Sequence, residues 1–435
     1  MGCNNFGNVD RQLVGKMKYI ISFLLLITTF LIPNVTEAEE MMRVRLVNHI
    51  GDTSKLTIKM EGDYFSLDPT VQLREGVEYK LTVKNGSLFL KGNKKTYEIN
   101  DSLVLIPNNY DNQHVIHIND KPYLGAMELR LENGQHIRPV NQLPLEDYLK
   151  GVVPFEVFSE WSLHTLKAQA LAARTYAASH VGEEIDDTIR YQVYGGFAWD
   201  PKTTKAVNET KGEVITYNNR LINAFYSASN GGKTENNSHV WGGKAMPFFP
   251  IKKDPYDPTH PWEFTLNETQ ISLEDIEWDS PNWWNEVEEK DKEITETIKN
   301  WLNNRGYPGD IKILSIPTFE LSNQQLPSDR SVKGSISITF LWRLFDGTVW
   351  YQEVSLNNVK LNRIRPMIGG TVFKSYLIDS LEKDGEVYTM KGKGFGHGVG
   401  MSQWGAYVMG EKGKSYEEIV EFYFPKTTIM QIGEM

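Results

Sequence analysis

Cysteine is what this chain has least of. The single one, Cys3, precedes the first apolar segment, so the rest of the 435 residues can form no internal disulfide, iron–sulfur site or cysteine-based zinc site, and can use no catalytic thiol. Metal signals are also poor. The nine histidines are scattered, no His-Glu-x-x-His occurs, and His114 and His117 sit close together in a strand-like segment with no evident third ligand. No metal and no cofactor is therefore expected. Positive charge is in short supply: 46 Lys and Arg face 56 Asp and Glu, a net charge of −10. That leaves no electrostatic footprint for nucleic acid and no broad attraction to an anionic membrane surface. A neutral sugar substrate needs no such field.

One run, Tyr19–Ile32, has 14 residues without charge, short of the ~20 that a membrane span needs. Lys16 and Lys18 precede it, Pro33 breaks it, and Thr36-Glu37-Ala38 follows. This basic, apolar, small-residue order predicts a secretory signal over residues 1–38, cleaved near Ala38, with an uncleaved anchor as the alternative. Met17 is an alternative start, because Met1–Gly15 adds nothing such a signal needs. Cys3 lies on the wrong side of the run for a lipoprotein cysteine. A secreted, cell-wall or extracytoplasmic location follows from this reading.

Hydrophobic residues make up 40% of the chain, enough for one large domain or two smaller ones. The pattern predicts an α+β chain. Residues 40–139 read as a β-rich lobe, with short strands at Val44–Val47, Leu56–Lys59, Tyr79–Val83 and Val115–Ile118 between Gly and Asn turns. A mixed α+β region follows over 140–430. It opens with a short helix near Leu143–Leu149, and a longer one runs from an N-cap at Ser162 to about His180. Leu163, Leu166, Ala170, Ala173 and Ala177 put one stripe of that helix on a core, and its six alanines allow close backbone packing. Residues 182–260 read as loops and short strands. A charged helix is expected from Trp283 to Asn304, its Glu286–Glu293 run facing solvent. Strands return over 310–390, and a last helix is expected near Ser415–Phe424.

Three motifs carry candidate chemistry. The first is Pro154-Phe155-Glu156, followed by Lys167-Ala168-Gln169 and Arg174-Thr175-Tyr176. A carboxylate after a proline turn and beside Phe155 and Phe158 suits a general acid of raised pKa. It equally suits an acid favoured at a helix start. Lys167 and Arg174 lie seven apart on one helix face, where they can order acids, bond a sugar or simply meet water. The second motif, Tyr226-Ser227-Ala228-Ser229-Asn230-Gly231-Gly232-Lys233-Thr234-Glu235, is a strand running into a glycine turn. It lacks both the nucleophile-elbow and the phosphate-loop patterns. The third, Gly392 to Ala406, folds six glycines within 14 residues around His397, Gln403 and Trp404. Trp and Gln suit a carbohydrate groove, and a lone His is commonly a structural hydrogen-bonder.

Together the motifs resemble the stage II sporulation protein D / LytB family. The resemblance rests on Leu143–Glu156, Leu166–Ala177, Tyr226–Glu235, Gly392–Ala406 and Tyr423-Phe424-Pro425, and covers roughly 140–430. It implies a peptidoglycan lytic transglycosylase, or a relative that enhances an N-acetylmuramoyl-L-alanine amidase. Its implied substrate is glycan strands already stripped of stem peptides. Glu156 matches the family's catalytic glutamate. Substrate-groove roles fall, by motif membership, on Lys167, Gln169, Arg174, Tyr176, Ser229, Gly231, Gly232, Thr234, Glu235, His397, Gln403 and Trp404. Two departures stand out. Some members hold zinc through cysteine and histidine, and this body has no cysteine, so no such site is expected; the usual histidine before Ser227 is Tyr226 here.

Overall fold

The computed structural model describes residues 40–434, so the expected signal, with Cys3 and the run Tyr19–Ile32, lies outside the described residues. Among the described residues, no helix is long and apolar enough to cross a membrane. The fold is α+β. Strands such as Lys55–Glu61 and Ser102–Pro107 bury alternate side chains, the period that puts one face of a sheet on a core. Two six-stranded sheets result. One orders Lys95–Ile99, Ser87–Gly92, Tyr79–Lys84, Lys55–Glu61, Val115–Ile118 and Lys121–Leu124. The other orders Glu184–Asp186, Met41–Arg45, His136–Pro144, Ala126–Glu132, Ser102–Pro107 and Tyr64–Ser66. Ile58, Tyr79 and Leu90 of the first share one core with Val44, Leu103 and Leu129 of the second.

His136–Pro144 runs directly into a helix, Leu145–Lys150, then into the short helix Val153–Glu156 with Pro154 in its first turn. The long helix Leu163–Ala178 follows, its N-cap Ser162 accepting from the Thr165 amide at 3.2 Å. One buried stripe was expected, but burial runs nearly all round. Leu166, Ala170, Ala173 and Ala177 join the core of the two sheets, while Ala168, Leu171 and Ala172 join a second core with Val399, Met401 and Tyr423. Alanine makes this possible by letting neighbours approach on both sides. On the neighbouring helix Gln403–Glu411, a Cβ at Gly410 would collide with the Ser162 and Thr165 hydroxyls.

Arg174 is fully buried in this helix. Nε and Nη2 each reach the Glu146 carboxylate at 2.8 Å, Nη1 donates to Thr210 Oγ1 and the Glu213 carbonyl, and Nη2 also donates to the Val207 carbonyl. All five guanidinium N–H groups are thereby used.

Two other expectations change. Residues 182–260 hold a helix, Pro201–Glu209, whose signal was legible: Asp200 caps the Lys202 and Thr203 amides, and Pro201 takes the first turn. The expected Trp283–Asn304 helix is broken into Trp283–Glu286 and Lys292–Asn303. The break occurs because its acids face inward. Glu289 is buried, pairs with Lys299 at 2.9 Å and accepts from the Ile313 amide, while Asp291 accepts from the Asn267 amide at 2.7 Å. Lys292–Asn303 and Leu361–Ile368 pack on the antiparallel sheet Asp310–Leu321, Lys333–Arg343, Val349–Lys360 around a separate core. The last helix, Tyr416–Tyr423, starts at a capping box between Ser415 and Glu418.

Replacing Arg174 with Ala strips the half-buried Glu146 of its ion-pair partner and removes donors from Thr210 Oγ1 and from the Val207 and Glu213 carbonyls inside the fold. It should cost about 3–5 kcal/mol in urea unfolding, and Arg174→Lys, which cannot form the fork, should recover little of that.

Candidate active site

The three motifs converge. Tyr226–Ser227 pairs in parallel with Met401–Ser402, in the register Tyr226↔Met401 and Ser227↔Ser402. Ser402 caps the helix Gln403–Glu411, and the first residue of that helix, Gln403, donates through Nε2 to the Glu156 carbonyl at 3.2 Å. Segments 247 residues apart therefore meet at Glu156.

Glu156 ends its short helix with the carboxyl turned inward. Its Oε1 accepts from the Val193 amide at 3.0 Å. Burial raises its pKa above the ordinary carboxylate range, and the Val193 amide, the Gln403 side chain and the Tyr226 hydroxyl pull against that rise. Among the described residues no second carboxylate perturbs it. Behind it lies a buried polar row. Gln192 Nε2 donates to the Tyr226 hydroxyl at 2.9 Å, the Tyr148 hydroxyl donates to Gln192 Oε1 at 3.3 Å, and the Tyr194 hydroxyl donates to Asn141 Oδ1 at 2.7 Å.

An aromatic cluster forms on the segments that follow Glu156 and Gln403. Phe158 is 60% exposed and packs against Trp161 and Trp404 at ring-centre distances of 5.7 and 6.0 Å. Trp404 also meets His260 at 4.8 Å and Trp161 at 5.2 Å. Such a shelf suits the apolar face of a sugar ring. On the Tyr226 side a hollow of about 490 Å³ is lined by Tyr176, Arg190, Tyr191, Phe225, Trp241 and His397.

The other expected groove residues take several places. Arg174 is saturated inside the fold, so it has no donor left for a sugar. Lys167 pairs with Glu209 at 2.7 Å on the far helix Pro201–Glu209. Ser229 gives its hydroxyl to Asp257, 2.8 Å away, and Thr234 gives its own to the Pro250 carbonyl at 2.7 Å. Glu235 is wholly buried, bonded to Ser328, the Asn236 amide and His239. Ser229, Thr234 and Glu235 spend these bonds on shaping the loops. Gly231 and Gly232 have φ of +73° and +86°, and a Cβ on Gly231 would meet Leu377 at 2.7 Å; their part is the turn itself. Gln169 is buried with both amide atoms unpartnered. Tyr176 lines the hollow, and Gln403 and Trp404 lie beside Glu156. His397 is held near pKa 4 by burial and the Arg330 charge, so it stays neutral. Its Nδ1 accepts from the Val399 amide at 3.0 Å, and its ring bonds the Tyr226 backbone. It braces the two loops.

Sequence reasoning passed over Gln192, Val193, Asp254 and Asp257. Asp257 accepts from Ser229 Oγ, the Asn230 amide, Ser402 Oγ and the Thr259 amide; Asp254 accepts from Asn230 Nδ2 and the Tyr423 hydroxyl. The doubled acid in Asp254-Pro255-Tyr256-Asp257-Pro258 was a usable signal, whereas Gln192 has none locally. Among the described residues no group of three His, Asp or Glu side chains is placed to hold a metal.

Because the Glu156 pKa is raised on folding, the folded chain holds that proton more tightly than the unfolded one. The wild type has this contribution in full below the unfolded pKa and loses it as pH rises through the folded one. Glu156→Gln should therefore melt higher than wild type at pH 7, with the gap closing as pH falls below the ordinary carboxylate range. A scanning-calorimetry series over pH reads this.

The model of the stage II sporulation protein family (SpoIID) matches residues 133–217. A Bacillus subtilis protein named amidase enhancer is 40% identical over 87% of this chain, which spans only about half of that relative (53%). An uncharacterised protein of Brachyspira hyodysenteriae is 30% identical over 75% of this chain and 77% of its own length. Stage II sporulation protein D of Bacillus subtilis is 28% identical over 67% and 76%. The chain belongs to the stage II sporulation protein D family.

Proposed function

We propose that the chain is exported and cleaves peptidoglycan glycan strands at the cell wall by lytic transglycosylation, with Glu156 as the single acid and base. The observation that carries this reading is an inward carboxyl of raised pKa, with no second carboxylate perturbing it among the described residues, on a segment that runs into an aromatic shelf whose Phe158 ring is exposed. Hydrolysing glycosidases use two carboxylates roughly 5–9.5 Å apart. A lytic transglycosylase needs one, because the muramic-acid 6-hydroxyl supplies the nucleophile. Protonated Glu156 gives its proton to the glycosidic oxygen as the bond to C1 breaks. The carboxylate then takes the 6-hydroxyl proton as O6 closes on C1, leaving a 1,6-anhydro end and restoring the acid. The intramolecular attack draws on proximity, and Phe158 and Trp404 would hold the sugar against the carboxyl.

A second reading has support in the name of the 40%-identical relative, amidase enhancer. On it, the chain stimulates an N-acetylmuramoyl-L-alanine amidase without turnover, using the same groove to hold the strand.

Peptidoglycan freed of stem peptides by an amidase, digested with the protein and analysed by mass spectrometry, should yield anhydromuramic ends. Glu156→Gln should lower their rate by about 10²–10⁴-fold, the usual worth of a general acid. Amidase stimulation that survives Glu156→Gln, with no anhydro ends from wild type, would move the assignment to the enhancer. Phe158→Ala should weaken retention on purified glycan several-fold while leaving the melting temperature within about a degree, since an exposed ring contributes little to the fold.

A further inference from the structure

A carboxyl that must first give a proton and then take one cannot be governed by burial alone. Burial would lock Glu156 in its acid form, and the ionised form left after the first step needs a donor that is already in place. Val193 supplies one through its amide. The second donor is a side chain whose direction is fixed from behind. Gln192 spends Nε2 on the Ala173 carbonyl at 3.2 Å and on the Tyr226 hydroxyl oxygen at 2.9 Å, while its Oε1 accepts from the Tyr148 hydroxyl at 3.3 Å. The Ala173 carbonyl can only accept, so it fixes which end of the amide is Nε2 and thereby makes the Tyr226 oxygen an acceptor. The Tyr226 oxygen is therefore already accepting and its own proton is free to point elsewhere, and Glu156, bonded to the amide of the residue next to Gln192, lies within its electrostatic reach. The Tyr226 backbone is held as well, by the parallel pairing with Met401 and by the neutral His397 ring.

We propose that the Tyr226 hydroxyl, aimed by Gln192 and Tyr148, is a positioning group that holds ionised Glu156 and so lets one carboxyl serve as acid and then as base. The role rests on the transglycosylase reading above for its purpose, though not for its test. In the step itself the proton leaves Glu156 for the glycosidic oxygen, and the Tyr226 hydroxyl donates to the carboxylate formed. When the 6-hydroxyl proton arrives, the starting state returns. Tyr226 keeps its own proton throughout, because burial holds its hydroxyl well above the usual pKa.

The test is a titration of the full chain with glutamate carboxyl carbons labelled with ¹³C. The Glu156 signal is identified by its loss in Glu156→Gln. In Tyr226→Phe the Glu156 midpoint should rise by about one pH unit, the worth of one charge-assisted hydrogen bond to the ionised form. Gln192→Leu, which frees the tyrosine to swing, should shift it in the same direction by less. A midpoint that stays or falls in Tyr226→Phe overturns the proposal, and Gln192→Leu decides the matter if Tyr226→Phe does not fold. A purely structural tyrosine would lower the melting temperature and leave the midpoint alone. Because the titration involves no turnover, a shifted midpoint with no anhydro product would keep this role and remove only the transglycosylase reading. Where turnover is present, the alkaline limb of its pH profile should move up with the midpoint.

Discussion

The meeting of the three motifs depends on one buried carboxylate, Asp257. It holds the Ser229 hydroxyl and Asn230 amide of one glycine loop and the Ser402 hydroxyl of the other. A buried charge is tolerated only when its lone pairs are met, and here both loops must be in place to meet them. Ser402, so fixed, caps the helix whose first residue, Gln403, reaches back to Glu156. Loop geometry, helix start and the position of the acid thus form one chain of dependence.

The acid itself sits between opposing forces. Desolvation favours its neutral form, and a main-chain amide, a glutamine and a tyrosine favour the charged one. A group poised this way can exchange a proton in both directions. The exposed ring of Phe158 and the half-buried ring of Trp404 lie on the two segments that meet at Glu156. Much of the remaining polar wealth of the motifs is structural: Arg174, Glu235 and Thr234 spend their hydrogen bonds inside the protein.

The sequence made a good part of this legible. Alternation placed four strands of the first half, Val115–Ile118 in full, the Ser162 cap placed one helix, and the last helix fell where the pattern put it. The break in the expected charged helix was hidden because Glu289 looks solvated in sequence and is buried only by the later strand that carries Ile313. Arg174 and Lys167 were given groove roles by motif membership, and their seven-residue spacing says only that two side chains share a face, not whether that face meets water or Glu146 and Glu209. Gln192 was out of reach, since its importance comes wholly from contacts with Tyr226, Tyr148 and Ala173, none of them near in sequence.

The central claim is that a muramyl glycan lies on the aromatic shelf with its scissile oxygen at Glu156. The most direct measurement is a crystal structure of Glu156→Gln with a peptide-free muramyl oligosaccharide. The account predicts a glycosidic oxygen within hydrogen-bond distance of the substituted side chain and a sugar ring stacked on Phe158 or Trp404. A glycan bound elsewhere, with the pocket around that side chain closed to it, would contradict the account.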